Sequence, residues 1–302
     1  MLPEGFSDLV SLLLEDWTWD ELPREDAEIW NALIYPIFLG ATIRTAQANY
    51  VKQVLWDFVE FNAAHSVPND PVWSRRVLAA INAGLQTIRG TPGEGLKKAI
   101  LQLAFREVES LNLSRTIGDA LNFLNLTGLN VQIIANLQND YSQTQELVDL
   151  AARSIYNVRY VKAVLWFYSC GIAEDLVPPN SHVTRFLHEC GYPGFGWSSE
   201  PVDDWQVFTP ACRYMREVAQ QVGTELKRRV TPKQAQAAVW YLQTCRGLLP
   251  AGHRKQLTPL ELIDFLNSQG WTVRQLGDAL DDVERLESLA SDLRAFCRIL
   301  LP

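Results

Sequence analysis

Apolar side chains recur at three- and four-residue intervals along most of the chain, and no stretch alternates apolar and polar residues strongly enough to predict a sheet. The pattern predicts an all-α fold. "SDLVSLLLEDW" opens it, with Ser7 placed as an N-cap and Leu9, Leu12 and Leu13 on one face. "EIWNALIYPIFLGATIRTAQANYVKQVLWDFVEFNAA" predicts two helices broken around Leu39, Gly40 and Ala41. "DPVWSRRVLAAINAGLQTI" predicts another, with Pro71 suited to its first turn. Beyond the "RGTPGEG" loop lie "LKKAILQLAFREVESL", "SRTIGDALNFL" and "NVQIIANLQND".

The central stretch "SQTQELVDLAARSIYNVRYVKAVLWFYSCG" predicts a helix, a tight turn and a buried helix. A loop carrying Pro178 and Pro179 then leads into "SHVTRFLHECG". "FTPACRYMREVAQQVGTEL" and "TPKQAQAAVWYLQTC" each open on Thr-Pro, which predicts helices starting there. The last part, "TPLELIDFLNSQGW" with "TVRQLGDALDDVERLESLASDLRAFCRILL", reads as an acidic helical region. No internal repeat is visible.

Charge divides the chain. The net charge of −8 over 302 residues argues at first sight against nucleic acid. Residues 1–30 hold nine carboxylates and one base, and residues 260–302 hold eight acids and four bases. The body, 31–259, has 22 bases and 18 acids, so basic sites remain possible within it. Three regions follow: an acidic N-terminal segment 1–30, a helical core 31–259 and an acidic C-terminal region 260–302.

The longest apolar runs are too short to span a bilayer, and no basic region precedes an apolar one at the N-terminus. A cytoplasmic chain without a membrane partner is expected. The five cysteines, Cys170, Cys190, Cys212, Cys245 and Cys297, are scattered without a CxxC, which excludes a locally encoded zinc ribbon or iron–sulfur loop. They read as small buried hydrophobes. No motif calls for a metal or cofactor, and none is expected.

Three separated stretches resemble the helix-hairpin-helix DNA glycosylase superfamily, in particular its 8-oxoguanine-removing members. "LIYPIFLGATIRTAQANYVKQVL" is similar to an early family helix pair, with Asn49 matching and Thr42 where many members place a Gln that fills the gap left by a flipped base. "LAARSIYNVRYVKAVLWF" is similar to the family's "LPGVGxKTA" hairpin: Ile155, Val158 and Ala163 fit its apolar framework, while Asn157 and Arg159 stand at its glycines. Asn tolerates a left-handed backbone better than most residues. "PPNSHVTRFL" is similar to the family's "PVDxHVxRxL", with Asn180 in place of the Asp and His182 and Arg185 matching. "TPKQAQAAVWYLQTC", carrying Trp240, is like a late helix lining the base pocket. The resemblance covers roughly residues 30–250, with its site region in 148–192.

The resemblance implies a two-subdomain helical fold that binds double-stranded DNA and flips a modified or damaged purine-like base into a pocket. Lys162, 18 residues before Asn180, best matches the family's nucleophile, which must be neutral to attack the sugar. The family's Asp removes a proton and stabilises the cation forming at the sugar. Asn180 keeps the size of that residue and loses its charge and basicity.

Thr42, Asn157, Arg159, His182, Arg185 and Trp240 are the expected DNA- or base-contacting residues, with Lys162 and Asn180 the catalytic pair. Each has a plainer alternative. Lys162 is otherwise a surface or DNA-backbone lysine, Asn180 a helix cap, and His182 a packing residue. Trp166, Trp240 and Tyr241 at helical spacing fit a core, and the "KRR" of 227–229 and "HRK" of 253–255 fit solvated loops.

Three functions are consistent with this pattern. One is a DNA N-glycosylase, with or without lyase activity. Another is an enzyme that modifies the flipped base, such as a 7-deazaguanine derivative, without excising it. The third is a non-catalytic reader of modified DNA or a complex subunit, with a protein partner held through the acidic terminal helices.

Overall fold

The computed structural model describes residues 1–15, 22–39, 45–58, 71–110, 113–138, 140–196 and 205–300. Every regular element among them is helical, as the 3.6-residue periodicity predicts. The chain divides into two compact units, one made of Met1–Trp19 with Ala173–Pro302 and the other of Asp20–Ile172. Packing therefore joins the acidic start of the chain to its C-terminal half, a grouping that charge along the sequence does not reveal.

The unit Asp20–Ile172 holds α2 (Asp26–Ala32), α3 (Ile34–Phe38), α4 (Thr45–Phe58), α5 (Pro71–Thr87), α6 (Glu94–Ser110), α7 (Leu113–Thr127), α8 (Val131–Leu137), α9 (Tyr141–Ser154) and α10 (Tyr160–Ser169). Its core is centred on α10, which packs on α2, α3 and α9. Trp166 is fully buried there, against Phe123 and Phe167, and its indole N–H donates to the Ile29 carbonyl at 2.7 Å. That bond satisfies the one polar atom of a large apolar side chain, so Trp166 is a core residue. On the far side, α4, α5 and α6 pack together. Gly84 permits this approach: a Cβ there would lie 2.5 Å from Val54 Cγ1.

The other unit contains α1 (Phe6–Glu15), α11 (Ser181–Glu189), α12 (Trp205–Leu226), α13 (Pro232–Leu248), α14 (Pro259–Gln269), α15 (Val273–Asp281) and α16 (Val283–Leu300). Helix α1 lies against α12, α13 and α14, and Phe6 stacks on Phe186 of α11 with ring centroids 4.7 Å apart. The Thr-Pro starts of α13 and α14 are capping boxes: Thr231 pairs with Gln234, and Thr258 with Glu261. Helix α12 departs from the sequence expectation. It begins at Trp205, so Pro210 sits inside it rather than at its first turn.

Helix α13 has an unusual buried face. Lys233, Gln234, Gln236, Gln243 and Arg246 are all buried, which leaves little apolar periodicity in its sequence. Arg246 shows how such a face is satisfied. Its Nε donates to the Leu257 carbonyl at 2.8 Å, and one terminal nitrogen meets both oxygens of Glu189 at 3.0 and 2.8 Å. A buried, doubly bonded ion pair of this kind costs several kcal/mol to break from one side.

No helix among the described residues is long and apolar enough to cross a membrane.

Candidate DNA-base site

Two helix entrances carry most of the candidate residues. The first is the turn between α9 and α10. Asp140 caps α9 by accepting the Gln143 N–H, and Ile155 closes the helix by donating to Ala151. The chain then reverses through Tyr156, Asn157 and Val158, with the Val158 N–H bonded to the Ile155 carbonyl. Asn157 adopts φ 59°, the left-handed region that glycine enters freely and asparagine enters at modest cost.

Arg159 takes an extended backbone instead, φ −106° and ψ −174°, so its Cβ meets no backbone penalty. Ile155, Val158 and Ala163 are buried, anchoring the turn from inside, while the Arg159 side chain is exposed. Tyr160 hydrogen-bonds Asp149, which also pairs with Arg153, so α9 and α10 are tied to each other directly.

Helix α7 braces the turn from outside. The Tyr156 N–H donates to Asp119 at 3.1 Å, and the Arg115 guanidinium lies 4.5 Å above the Tyr156 ring. Arg115 and Asp119 were not singled out from sequence. They lie about forty residues upstream, and only a contact across the fold brings them here.

Lys162 occupies the first turn of α10 and is half-buried. Its Nζ donates to the Ile37 carbonyl in the last turn of α3 at 3.1 Å. A lysine at a helix C-terminus is favourable because it meets carbonyls that lack intrahelical partners. Lys162 thus joins α10 to α3, whatever further role it has.

The second entrance is that of α11. Asn180 is its N-cap, in ordinary extended backbone, with one side-chain oxygen accepting from His182 N at 3.1 Å and Val183 N at 3.0 Å. This is the capping role expected from sequence. The oxygen is committed to two amide donors, and the other end of the side chain is an amide nitrogen without basicity.

His182 and Arg185 follow at positions separated by three residues, one turn apart on the same face of α11. His182 Nδ1 and Arg185 Nε are both sealed from solvent without a hydrogen-bond partner. Burial, reinforced by the neighbouring Arg185 charge, pulls the His182 imidazole down to about 4, so it is neutral at physiological pH. Trp240 and Tyr241 are half-buried on α13 and meet edge to face, with ring centroids 5.0 Å apart.

Thr42 lies outside the described residues. Asn157, Arg159 and Lys162 belong to one unit and gather at one turn. Asn180, His182 and Arg185 belong to the other and gather on α11, which packs on the helix carrying Trp240.

Other chemistry is weakly represented. A depression of about 400 Å3 is lined by His188, Glu189, Arg246 and Lys255. Arg246, whose side chain is buried, is already matched by Glu189. All five cysteines are buried and outside any disulfide, and burial pushes the Cys190, Cys212 and Cys245 thiols up to about 12. Such thiols carry almost no thiolate at neutral pH and make poor nucleophiles. Among the described residues, no group of three His, Cys, Asp or Glu side chains is placed to hold a metal ion.

No protein-family model matches the chain, nor does any curated protein sequence or solved structure.

Proposed function

We propose that this protein binds double-stranded DNA and receives a flipped, purine-like base. The observation that carries the proposal is the α9–α10 hairpin: a short turn anchored by buried Ile155 and Val158, with Asn157 left-handed at the position where the resembled family has glycine. A tight turn of this form brings main chain close to a phosphate, and exposed Arg159 adds a cation beside it. The most direct chemistry is N-glycosylase-like, with Lys162 as the attacking amine and Asn180 at the position of the missing carboxylate.

A second reaction, modification of the flipped base with its glycosidic bond intact, is favoured by the geometry of Asn180. Its oxygen is occupied by two backbone donors, and it supplies neither a base nor a negative charge for an emerging sugar cation. Loss of a positioned general base typically lowers a rate by about 10²–10⁴, so an unmodified glycosidic bond survives longer in this site.

Incubation with duplexes carrying modified purines tests both. Borohydride trapping of a protein–DNA adduct, lost in Lys162→Ala, is the result expected for excision with lyase chemistry. An altered nucleoside without free base, seen by mass spectrometry after DNA digestion, is expected for modification. Asn180→Asp retains the cap and restores the carboxylate, and for a glycosylase-type site it raises base release by about 10²-fold or more. Absence of DNA binding by the full chain overturns the proposal in both forms.

A further inference from the structure

A second surface, apart from the hairpin, carries an independent signal. From Pro71 to Gly93 the chain has no carboxylate, although the protein as a whole has a net charge of −8. This segment supplies Arg75, Arg76 and Arg89, and α6 adds Lys98 and Arg106. All five side chains are exposed. None of them forms an ion pair among the described residues, whereas Arg115, Arg153 and Arg246 each have a carboxylate partner.

The two helices that carry these cations pack against each other and are joined by residues 88–93. Their inward faces are apolar, with Val77, Ala80 and Ile81 of α5 and Leu101, Ala104 and Val108 of α6 buried. The outward faces hold the cations together with Asn82, Gln86 and Gln102, all exposed. The carboxylates nearby do not cancel this charge evenly. Glu94 is half-buried and accepts the Gly90 N–H at 2.8 Å, Glu107 is half-buried, and exposed Glu109 follows Arg106 by one turn, which leaves Arg75, Arg76, Arg89 and Lys98 without an exposed carboxylate on these two helices beside them.

We infer that the outward face of α5 and α6 is a second docking surface for the phosphate backbone of duplex DNA. Clustered, unpaired cations interspersed with amide side chains match a polyanion that offers regularly spaced acceptor oxygens. The composition of the face argues against other anionic partners. Among the described side chains, the exposed large hydrophobic residues, which include Leu126, Leu150, Tyr156 and Trp205, all lie outside these two helices. A membrane-surface helix needs an apolar face to insert, and a protein interface needs apolar or aromatic anchors at its centre. The inference shares its partner with the proposed function and rests on different residues, so each can fail alone.

The test measures binding of the full chain to a labelled, unmodified duplex of about 30 base pairs as salt is raised from about 50 to 200 mM. Combining Arg75→Gln, Arg76→Gln, Lys98→Gln and Arg106→Gln is expected to weaken binding at least about tenfold at the lower salt. The salt dependence should become shallower by about one unit of slope for each phosphate contact removed. Replacing the three arginines by lysine keeps the charge and should keep most of the binding. Arg274→Gln with Arg285→Gln, on α15 and α16, serves as the control for removing exposed cations elsewhere and should leave binding unchanged.

Unchanged affinity and slope in the fourfold variant overturn the inference. So does an equal loss in the control pair, and so does arginine-dependent binding to phosphatidylserine vesicles without binding to the duplex. Loss of binding in Arg159→Ala with none in the fourfold variant removes the α5–α6 surface and leaves the hairpin in place. The converse supports the α5–α6 surface and counts against the hairpin. No duplex binding by the unaltered chain defeats both.

Discussion

Asn157 lies in the turn before α10 with φ 59°, while Asn180 sits before α11 in extended backbone with φ −80°. The same amide side chain serves two different needs. At the hairpin, asparagine is useful for the backbone conformation it tolerates, and the turn is held by tertiary anchors: Ile155 and Val158 beneath it, and Asp119 and Arg115 beside it. At α11, asparagine is useful for what its oxygen accepts, and the entrance is held locally by two bonds within three residues. A shape can therefore be kept by packing or by a cap. Neither asparagine supplies a negative charge.

Removing support from each entrance should separate the two cases. The largest effect is expected behind the hairpin. Trp166→Ala empties a fully buried site and strands the Ile29 carbonyl, at a cost of about 3–5 kcal/mol measured by denaturant unfolding. A change below about 1 kcal/mol would show that α10 is not the packing centre of its unit.

Acid should act on the α11 side. The His182 imidazole titrates near 4 when folded and near 6.5 when unfolded, so the unfolded chain binds more protons between those values. The stability it contributes is fully present above pH 6.5 and is lost as pH falls through 4. Its partial exposure keeps the loss to about 1–3 kcal/mol. His182→Asn should flatten the pH–stability curve across that window, and an unaltered curve in the variant would assign the acid sensitivity elsewhere.

Smaller effects distinguish the two asparagines directly. Asn180→Ala should cost about 1 kcal/mol through loss of the cap, and Asn180→Asp almost nothing. Asn157→Ala should cost about 1–2 kcal/mol because the left-handed backbone is unfavourable for alanine, whereas Asn157→Gly should be near neutral. Equal responses of the two sites to alanine and to the milder replacement would erase the distinction between a tolerated conformation and a hydrogen-bonded cap.

Local chemistry was legible in the sequence wherever the responsible residues lie within one turn. Thr231 and Thr258 announce their capping boxes, Asn180 its cap, and Asn157 its turn. The start of helix α12 is not where the sequence places it, because a proline after threonine usually marks a first turn, whereas Pro210 falls five residues after Trp205, where the helix begins. Helix α13 was legible as a helix, but its inward polar face was not. Arg246 reads as a surface residue until Glu189, 57 positions away, is brought to it.

Lys162 makes the same point for the site. Its bond to the Ile37 carbonyl spans 125 positions and has no local signature. The cations of α5 and α6 did leave a visible trace, a carboxylate-free run from 71 to 93 in an acidic chain. Whole-region charge totals averaged it away.

The central claim is that a purine-like base leaves the duplex and enters this protein. A duplex carrying 2-aminopurine at one position reports this directly, since its fluorescence is quenched by stacking and rises when the base is extruded. The account predicts a fluorescence rise that saturates with binding of the unaltered chain and of Asn180→Asp alike, because the cap, rather than the charge, shapes that entrance. Tight binding to the same duplex with no change in fluorescence would contradict it.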